Sequence, residues 1–445
     1  KTAYEIMPRL VGSWICIRDR LIGKGYDFLS NSDTEVIIKA YHFWGEDCVK
    51  HLDGMFAFAI WDESSQQLFV ARDRMGIKPL YFNITTVAFT FASNSQALLT
   101  QELDKSINPV ALHQQLSLHG VVPAPNTIIN GIRKLKPGTF VTLSSDGKLR
   151  EKTYWHPSAK RLEKNISDQD YIERTHELLT AAVMKRMSAS DVPIGVLLSG
   201  GLDSSLIVAL LKEAGHEDIR TFSIGFEDID DEVGSEFEYS DQIVSRFNTQ
   251  HKKYQVSNKE VLPRLSEAVM NMSEPMVGQD AVAFYLLSEQ VSKHTKVVLS
   301  GQGADEAFAG YFWYPRMANE RGNEVERFSK HYVDRPHDEY LQTVSSIYQG
   351  ENHTHNWLNK EFSKPGADSF IDKVFRTDMT RLIVDDPVKR VDNMTMAWGL
   401  EARVPFMDTE LVEWALSIPP SLKMRDEGKY PLKQISRRLL PNSVI

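Results

Sequence analysis

A turn rich in glycine and serine is the segment of this chain that is best suited to bind phosphate. Residues 195–205 read GVLLSGGLDSS, so an apolar stretch runs into two glycines and then into a helical pattern. Gly200 and Gly201 let backbone N–H groups approach an anion without interference from a Cβ atom. Three hydroxyl donors accompany them: Ser199, Ser204 and Ser205. Because the N-terminus of a helix also attracts anions, the turn predicts a site for the phosphates of a nucleotide.

Asp203 is the unexpected member of this turn, because a carboxylate repels phosphate. It is explained if it holds Mg²⁺, which then bridges to phosphate oxygens. The alternative is an ordinary strand-to-helix turn in which Asp203 caps the helix. The Lys-Ser/Thr pair of the common P-loop does not follow the glycines, so this turn is of a different kind.

A second glycine turn, SGQGADE at residues 300–306, also follows an apolar stretch. Asp305 in this turn is a candidate for a second magnesium carboxylate opposite Asp203. The alternative is a capping box for a helix that begins near Asp305. Spacing alone does not choose between the two.

The elements around both turns predict a parallel sheet. Apolar runs at 193–198, 221–226 and 296–300 are the expected strands, and a helix is expected over 204–214, closed by Gly215. Strands that alternate with helices form parallel sheets covered on both faces, and ligands bind beyond the carboxyl ends of the strands. The last hundred residues have a mainly helical pattern.

Residues from about 20 to 155 have a different, β-rich pattern. The runs 52–61 and 68–71 predict a hairpin, with a turn at 62–65 between them. Further strands are expected at 79–83 and 88–92, and a helix at 33–43 with Asp33 as its N-cap. The chain is therefore expected to hold an α+β region followed by an α/β region.

Composition excludes several classes of protein. The net charge of −9 and the absence of a basic tail argue against a general nucleic-acid binder. No apolar run approaches the roughly 18 residues of a membrane span. Only two cysteines are present, which suits the cytoplasm and excludes a disulfide framework. The oligomeric state is not fixed by the sequence, and a homodimer is compatible with it.

Several separate motifs together resemble the asparagine synthetase family of class II glutamine amidotransferases. They are SGGLDSS at 199–205, RDRMGIKPLY at 72–81, SIGF at 223–226 and GLEARVPFMD at 399–408. The resemblance spans residues 20–445. It implies a truncated glutaminase domain of the N-terminal nucleophile β-sandwich type over 1–155. It also implies an ATP-pyrophosphatase synthetase domain, with an adenine nucleotide α hydrolase-like parallel sheet, over 165–445.

The resemblance also implies roles for single residues. ATP would be contacted through the first turn and through Leu198, Ile224, Ser300 and Gly301. Asp203 and Asp305 would hold Mg²⁺ and pyrophosphate. Lys429 would stabilise the transition state of adenylation, or is a solvated surface lysine. Arg403 would pair with a substrate carboxylate, or simply with Glu401 or Asp408.

The reaction implied is ATP-dependent amide synthesis, in which a carboxylate is adenylated and then attacked by ammonia from glutamine or from solution. Gln302 occupies a catalytic position that is Glu in typical asparagine synthetases, and glutamine cannot act as a general base. The strings at 300–315 and 236–241 are similar to N-acetylglutaminylglutamine amidotransferases, which amidate a dipeptide carboxyl. The alternatives are an asparagine synthetase that acts on aspartate and an inactive remnant that binds nucleotide without turnover.

The glutaminase half departs from the family pattern. Class II glutaminases use an N-terminal cysteine as the nucleophile, whereas this sequence opens with Lys1, and Cys16 and Cys48 are internal. Family members continue past the position of Ile445, which suggests truncation at both ends. Residues 8–17 do not resemble the family, and a shifted reading frame or a faulty gene start would explain the first twenty residues. Asp33 matches the family's glutamine-binding aspartate, or merely caps its helix. We therefore expect no hydrolysis of glutamine.

Overall fold

A computed structural model of the chain describes residues 14–162, 166–188, 192–227, 234–276 and 280–445. The segment 1–13, which holds most of the stretch that departs from the family pattern, lies outside these ranges. Within the described ranges the strands form three sheets. The strands are β1 Ala57–Asp62, β2 Gln67–Arg72, β3 Tyr81–Ile84, β4 Phe89–Ala92, β5 Arg133–Lys134, β6 Thr139–Ser144, β7 Leu149–Thr153, β8 Ile194–Leu197, β9 Arg220–Phe226, β10 Gln250–Val256, β11 Val297–Leu299 and β12 Glu401–Arg403.

Helices predominate in the last hundred residues, as the sequence pattern predicted. The α-helices are α1 Trp14–Ile22, α2 Asp33–Trp44, α3 Cys48–His51, α4 Ser95–Leu98, α5 Pro109–Ser117, α6 Asp168–Ser188, α7 Leu202–Glu213, α8 Phe237–Phe247, α9 Asn258–Met270, α10 Asp280–Ser292, α11 Ala304–Phe308, α12 Trp313–Asn319, α13 Glu324–Tyr332, α14 His337–Thr343, α15 His353–Phe362, α16 Phe370–Thr377, α17 Lys389–Met396, α18 Thr409–Ser417, α19 Pro420–Lys423 and α20 Tyr430–Leu439. Two π-helical turns, Asp378–Leu382 and Val384–Val388, connect α16 to α17. None of the helices in the described ranges is long and apolar enough to cross a membrane.

The N-terminal region is a sandwich of two antiparallel sheets. One sheet has the strand order β1-β2-β6-β7 and the other has the order β4-β3-β5. Val70 and Val141 from the first sheet pack against Phe82 from the second, within one buried cluster. The opposite face of the first sheet is covered by α1, α2 and α3, because Phe69 and Phe140 pack with apolar residues of those helices. The predicted hairpin and α+β character of this region are confirmed.

The C-terminal region is built on a parallel five-stranded sheet with the order β10-β9-β8-β11-β12. The buried strand β8 follows the apolar pattern that predicted it, since all four of its residues are buried. Leu197 packs on the face that carries α10 and α17. Val196 packs on the opposite face with α6 and α7. The predicted parallel sheet with helices on both faces is therefore confirmed.

Two details of the predicted helices were wrong. Ser32, and not Asp33, is the N-cap of α2, since the Ser32 hydroxyl accepts from the Thr34 N–H at 3.1 Å and Asp33 is the first helical residue. Helix α7 begins at Leu202, two residues earlier than expected, with Gly201 as its N-cap. The first glycine turn is therefore shorter than the sequence suggested, and Asp203 lies in the first turn of the helix.

The two regions meet through a buried ionic cluster. Lys134, on β5, forms ion pairs with Glu274 Oε2 at 2.8 Å and with Asp385 Oδ1 at 2.7 Å, and all three side chains are at most 4% exposed. The Lys134 ammonium also donates to the Val122 carbonyl at 2.5 Å. Tyr81 of β3 joins the cluster, since its hydroxyl lies 2.9 Å from Ser273 Oγ. The sandwich and the parallel-sheet region are therefore locked together by charges that have no access to solvent.

Candidate functional site

The two glycine turns lie next to each other at the carboxyl ends of β8 and β11. These strands are direct parallel neighbours, so their following turns emerge at the same edge of the sheet. The turns are in close contact, because a Cβ atom placed on Gly301 would lie 3.1 Å from Asp203 Cβ and 3.2 Å from Ser204 N. The residues that the sequence placed in two separate loops therefore form one site.

The first turn is exposed to solvent on one side and buried on the other. Ser199 and Gly201 are exposed, whereas Ser204 and Ser205 are buried. The hydroxyls of Ser199 and Ser204 lie 3.0 Å apart, and the buried Ser205 hydroxyl has no hydrogen-bond partner in the described part of the chain. The N–H groups in the first turn of α7 have no partner within the helix. The turn thus offers donors to an anion on its open side.

Gly200 is required by the shape of this turn. Its φ of +92° lies in the left-handed region, and a Cβ atom there would lie 2.6 Å from Ser240 N and 2.7 Å from Tyr239 Cβ. The turn therefore packs directly against the first turn of α8, which belongs to the 236–241 string identified in the sequence. Only glycine fits this position without moving α8.

Lys429 lies between the two aspartates that the sequence proposed as metal ligands. Its Nζ atom is 2.7 Å from Asp203 Oδ2 and 2.7 Å from Asp305 Oδ1. The ammonium is mostly buried, since 15% of the side chain is exposed. The interpretation of Lys429 as a solvated surface residue is therefore wrong. Lys429 itself has a φ of +53° and is the N-cap of α20.

Burial and charge set the protonation states of this group. Burial, reinforced by Asp305 and opposed by Lys429, raises the pKa of Asp203 to about 6. Burial lowers the pKa of Lys429, but the two aspartates outweigh it and raise that pKa to about 12. Lys429 is therefore a permanent cation at neutral pH, whereas Asp203 gains a proton in mildly acidic solution.

The aspartate pair fits a magnesium ion. Asp203 Oδ1 is buried and has no hydrogen-bond partner among the described residues, so this oxygen is available to a ligand. Mg²⁺ in nucleotide sites is held by one or two carboxylates together with phosphate oxygens. No cluster of three or more metal-binding side chains occurs in the described ranges, so a metal here would depend on the nucleotide for its remaining ligands.

The capping alternative for Asp305 is excluded by the backbone. The N-cap of α11 is Gly303, and no side chain caps this helix. Asp305 instead directs Oδ1 toward Lys429. Gly310 makes room for this pair, because a Cβ atom there would collide with Asp305 Oδ1 and Lys429 Cε.

Other residues predicted for the site have main-chain or core contacts. Leu198 is 1% exposed and packs in the core, and its N–H donates to Phe222 O at 2.8 Å. Ile224 is partly buried between two core clusters, and Gln302 is half-buried in the second turn. Ser300 is buried and its N–H donates to Arg403 O at 2.9 Å.

Arg403 and Asp33 lie outside the cluster around Lys429. The Arg403 guanidinium pairs with Glu401 at 2.7 Å and donates to the Arg186 carbonyl. Asp408, the other partner considered for it, instead binds Lys185 and Arg186. Asp33 is an exposed residue at the start of α2, beneath the antiparallel sheet.

A cavity of about 310 Å³ opens beside the second turn. We call it the aromatic–acidic cavity. Its lining includes Glu306, Tyr311, Trp313, Tyr332, Asp378 and Arg390. Glu306 directly follows Asp305, so the cavity lies one residue from the Lys429 cluster. Glu306 belongs to the second glycine turn and could be found from that motif. Asp378 and Arg390 lie far along the chain in helical sequence, where nothing indicates a binding site.

Burial favours the neutral form of two carboxyl groups in this cavity, those of Glu306 and Asp378. Burial, with a contribution from Asp305, raises the pKa of Glu306 to about 8, and the Tyr311 hydroxyl donates to Glu306 Oε1 at 2.8 Å. Burial also raises the pKa of Asp378 to about 7. Asp378 Oδ2 accepts from the Tyr314 hydroxyl, whereas Asp378 Oδ1 is buried without a partner in the described ranges.

The remaining charges of the cavity are internally compensated. Arg390 forms ion pairs with Asp280 at 2.5 Å and with Asp386 at 2.7 Å. The rings of Tyr311 and Trp313 are stacked with centroids 4.2 Å apart. The cavity therefore presents to a ligand aromatic surface, the buried carboxyl groups of Glu306 and Asp378, and the ion pairs of Arg390.

Comparison with known proteins agrees with this geometry. The asparagine synthase family profile matches residues 174–445, and the glutamine amidotransferase domain profile matches residues 13–155. Asparagine synthetase [glutamine-hydrolyzing] 1 of Bacillus subtilis (strain 168) is 30% identical, over 100% of this chain and 74% of the relative. Asparagine synthetase [glutamine-hydrolyzing] 3 of the same organism is 31% identical, over 96% and 72%. A putative asparagine synthetase of Mycobacterium tuberculosis (strain ATCC 25618 / H37Rv) is 31% identical, over 97% and 72%. The chain belongs to the asparagine synthetase family of carbon–nitrogen ligases.

Proposed function

We propose that this chain synthesises an amide from a carboxylate and ammonia, with adenylation of the carboxylate by ATP. The observation that supports this proposal best is the position of Lys429 between Asp203 and Asp305, at the point where the two glycine turns meet. A cation bound by two carboxylates beside a phosphate-type turn is suited to a reaction in which negative charge develops on a phosphate.

The first step is attack of a carboxylate oxygen of the acceptor on the α-phosphorus of ATP. The bond from this phosphorus to the bridging oxygen of the β-phosphate breaks, and pyrophosphate leaves. The first turn, through Ser199, Gly201 and Ser205, binds the pyrophosphate portion, and Lys429 offsets charge at the α-phosphate. Asp203 and Asp305 would hold Mg²⁺, which supplies charge neutralisation of the phosphates when it is bound.

In the second step ammonia attacks the acyl carbon of the adenylate. The bond between that carbon and the phosphate oxygen breaks, AMP leaves, and the nitrogen releases a proton. Gln302 has no group that can accept this proton, so the proton passes to the leaving phosphate or to solvent.

We propose that the acceptor is the free carboxyl of N-acetylglutaminylglutamine. Besides the resemblance at 300–315, the aromatic–acidic cavity supports this choice. Neutral carboxyl groups donate hydrogen bonds to amide carbonyls, and aromatic rings pack on the flat faces of amides. The ammonium of aspartate would instead favour fully ionised carboxylates, whereas burial favours the neutral form of Glu306, and to a smaller extent that of Asp378. Aspartate remains the second candidate acceptor because the relatives carry the name of asparagine synthetases.

We also propose that the chain does not hydrolyse glutamine. Cys48 is fully buried, and burial raises the pKa of its thiol to about 12, so its thiolate is not available. The side chain of Cys16 lies outside the part of the chain that the structure describes. Ammonia would then be taken from solution.

The test is release of AMP and pyrophosphate from Mg-ATP and ammonium, with N-acetylglutaminylglutamine or aspartate as the acceptor. The variant Asp203→Ala is the control, because it removes the proposed metal ligand and one partner of Lys429. We expect amide formation with the dipeptide and none with the variant. Equal activity of the two proteins would reject the assignment of the site. Nucleotide binding without AMP formation from any acceptor would favour the inactive-remnant alternative.

A further inference from the structure

Lys423 is a fully buried lysine near the second glycine turn, and the mechanism above does not use it. Its Nζ atom donates to Ala307 O at 3.1 Å and to Ala415 O at 3.0 Å. It also lies 3.7 Å from the centroid of the Phe375 ring. No carboxylate forms an ion pair with it among the described residues. Its partners are therefore two carbonyls and an aromatic face.

An ammonium in such surroundings is costly to retain. Burial disfavours the charged form and lowers the pKa of Lys423 to about 7, because the charge of Asp372 opposes this effect only in part. A methionine of similar length would fill the same space without this cost. Replacement of buried charges by apolar side chains is often neutral or stabilising. Packing alone therefore does not explain why a lysine occupies position 423.

The carbonyl that Lys423 binds belongs to α11, the helix that carries Asp305 and Glu306. This helix has only five residues, and no side chain caps its N-terminus. Helices this short are not stable on their own, so contacts with neighbouring segments must fix its orientation. The carbonyls in the last turn of a helix lack partners within the helix. Lys423 binds one of them, at Ala307, and Lys429 N–H binds the next, at Phe308, at 2.9 Å.

The two lysines thus fix the position of α11, which contributes Asp305 to the Lys429 cluster and Glu306 to the aromatic–acidic cavity. Lys423 and Lys429 are six positions apart, and both hold the last turn of α11 by its main chain. Lys429 also binds the Asp305 side chain. The direction in which α11 points decides whether Asp305 meets Lys429 and whether Glu306 faces the aromatic–acidic cavity.

We propose that Lys423 is a positioning residue for the adenylation site, which holds α11 by the Ala307 carbonyl so that Asp305 faces Lys429. This inference rests on the proposed function. It assigns no contact with substrate to Lys423.

The test is the variant Lys423→Met in the full chain, with Lys330→Met, an exposed lysine of α13, as the matched control. Pyrophosphate exchange into ATP is measured with N-acetylglutaminylglutamine and with aspartate, and thermal unfolding is followed in parallel. We expect Lys423→Met to lower kcat by about tenfold to a hundredfold, as misplacement of reacting groups does, with KM for ATP within about twofold. We expect its Tm to be equal to or above that of the unaltered protein.

A positioning role predicts that Lys423→Met lowers kcat without lowering Tm, whereas a simple packing role predicts that both fall. A fall in kcat accompanied by a fall in Tm assigns Lys423 a structural role and overturns the inference. A kcat for Lys423→Met within about twofold of that of the unaltered protein would also overturn the inference. If the unaltered protein shows no exchange with either acceptor, the proposed function fails as well. Loss of exchange in the unaltered protein can therefore be told apart from loss of exchange in Lys423→Met alone.

Discussion

The Nζ atom of Lys429 lies 2.7 Å from Asp203 Oδ2, although 226 positions separate the two residues along the chain. The contact joins the N-cap of α20 to the first turn of α7, and Asp305 completes it from the second glycine turn. Each of the three residues comes from a different segment. The group therefore exists only when the parallel-sheet region is folded, and it can be tested one residue at a time.

Lys429→Met should lower the rate of adenylation strongly while ATP binding is largely retained. Removal of a group that stabilises developing charge typically lowers kcat by about 10²–10³-fold. The measurement is pyrophosphate exchange, together with calorimetric titration of a non-hydrolysable ATP analogue. Lys433→Met is the matched control, because Lys433 lies on the same helix and its ammonium donates to the Asp426 main-chain carbonyl, away from Asp203 and Asp305. A Lys429→Met variant that exchanges pyrophosphate normally would contradict the role of this ammonium.

Gly310→Ala should disturb the same group from the other side. The added Cβ would collide with Asp305 Oδ1 and Lys429 Cε, so the ion pair must open or the backbone must shift. We expect a loss of about 1–3 kcal/mol in the free energy of unfolding, typical of overpacking, and a large loss of activity. Gly350→Ala is the control, since the nearest atom to its Cβ, in His353, is 3.8 Å away. Denaturant unfolding and pyrophosphate exchange measure the two effects. Normal values for Gly310→Ala would mean that the site is not packed as described.

The acid limb of the pH profile should report Asp203. Its pKa is raised to about 6, so the carboxylate is ionised above that pH and gains a proton below it. The protonated form neither pairs with Lys429 nor holds Mg²⁺, and activity should therefore fall about tenfold for each pH unit well below 6. The measurement is kcat/KM for ATP between pH 5 and pH 8, in constant ionic strength. A profile that stays flat down to about pH 4.5 would be inconsistent with a raised pKa at this residue.

The alkaline side should report Glu306 through binding of the acceptor. The Glu306 pKa is raised to about 8, so the neutral carboxyl donates hydrogen bonds below that pH and loses its proton above it. We expect KM for N-acetylglutaminylglutamine to rise above pH 8, whereas KM for ATP does not. Glu306→Gln keeps donor groups at every pH, so its KM for the acceptor should not rise there. An identical alkaline rise in this variant would show that another group titrates.

Cys48→Ala should leave every activity of the chain unchanged. The thiol is buried, its pKa is raised to about 12, and it packs beneath the antiparallel sheet. The loss of one sulfur atom there should cost about 1–2 kcal/mol of stability, as small cavities do. Assays are glutamate release from glutamine and ammonium-dependent AMP formation. Glutamate release by the unaltered protein that disappears in Cys48→Ala would refute the proposal that this thiol is inert.

The features that depend on local sequence were predicted better than those that depend on long-range contacts. The parallel strands, the hairpin and both glycine turns follow from apolar periodicity and from glycine, which depend on near neighbours in sequence. The aspartates of the turns were accessible for the same reason. Lys429 entered only through a resemblance, since a single lysine before a helix carries no signal for a partner 226 positions away. The sequence did not identify Ser32 as the cap because serine and aspartate are both good N-caps, so two adjacent candidates cannot be ranked by residue type alone.

The cavity shows where sequence reasoning stops. Asp378 lies on a π-helical turn, and irregular turns of this kind have no periodicity to read. Its partner Tyr314 is 64 positions away. The raised pKa values of Asp378 and Glu306 arise from burial, which depends on tertiary packing and not on neighbours in sequence.

The salt-bridged centre around Lys134 bears on how the molecule can be dissected. A fragment that starts after the sandwich, near residue 166, would keep Glu274, Asp385 and Lys389, which lies 3.6 Å from Glu274, but would lose Lys134. Removal of the sandwich would also expose Glu274 and Asp385 to water, so the contribution of their ion pairs with Lys134 would be lost. The ligase half excised alone should therefore be less stable than it is in the intact chain, whatever the condition of the glutaminase half.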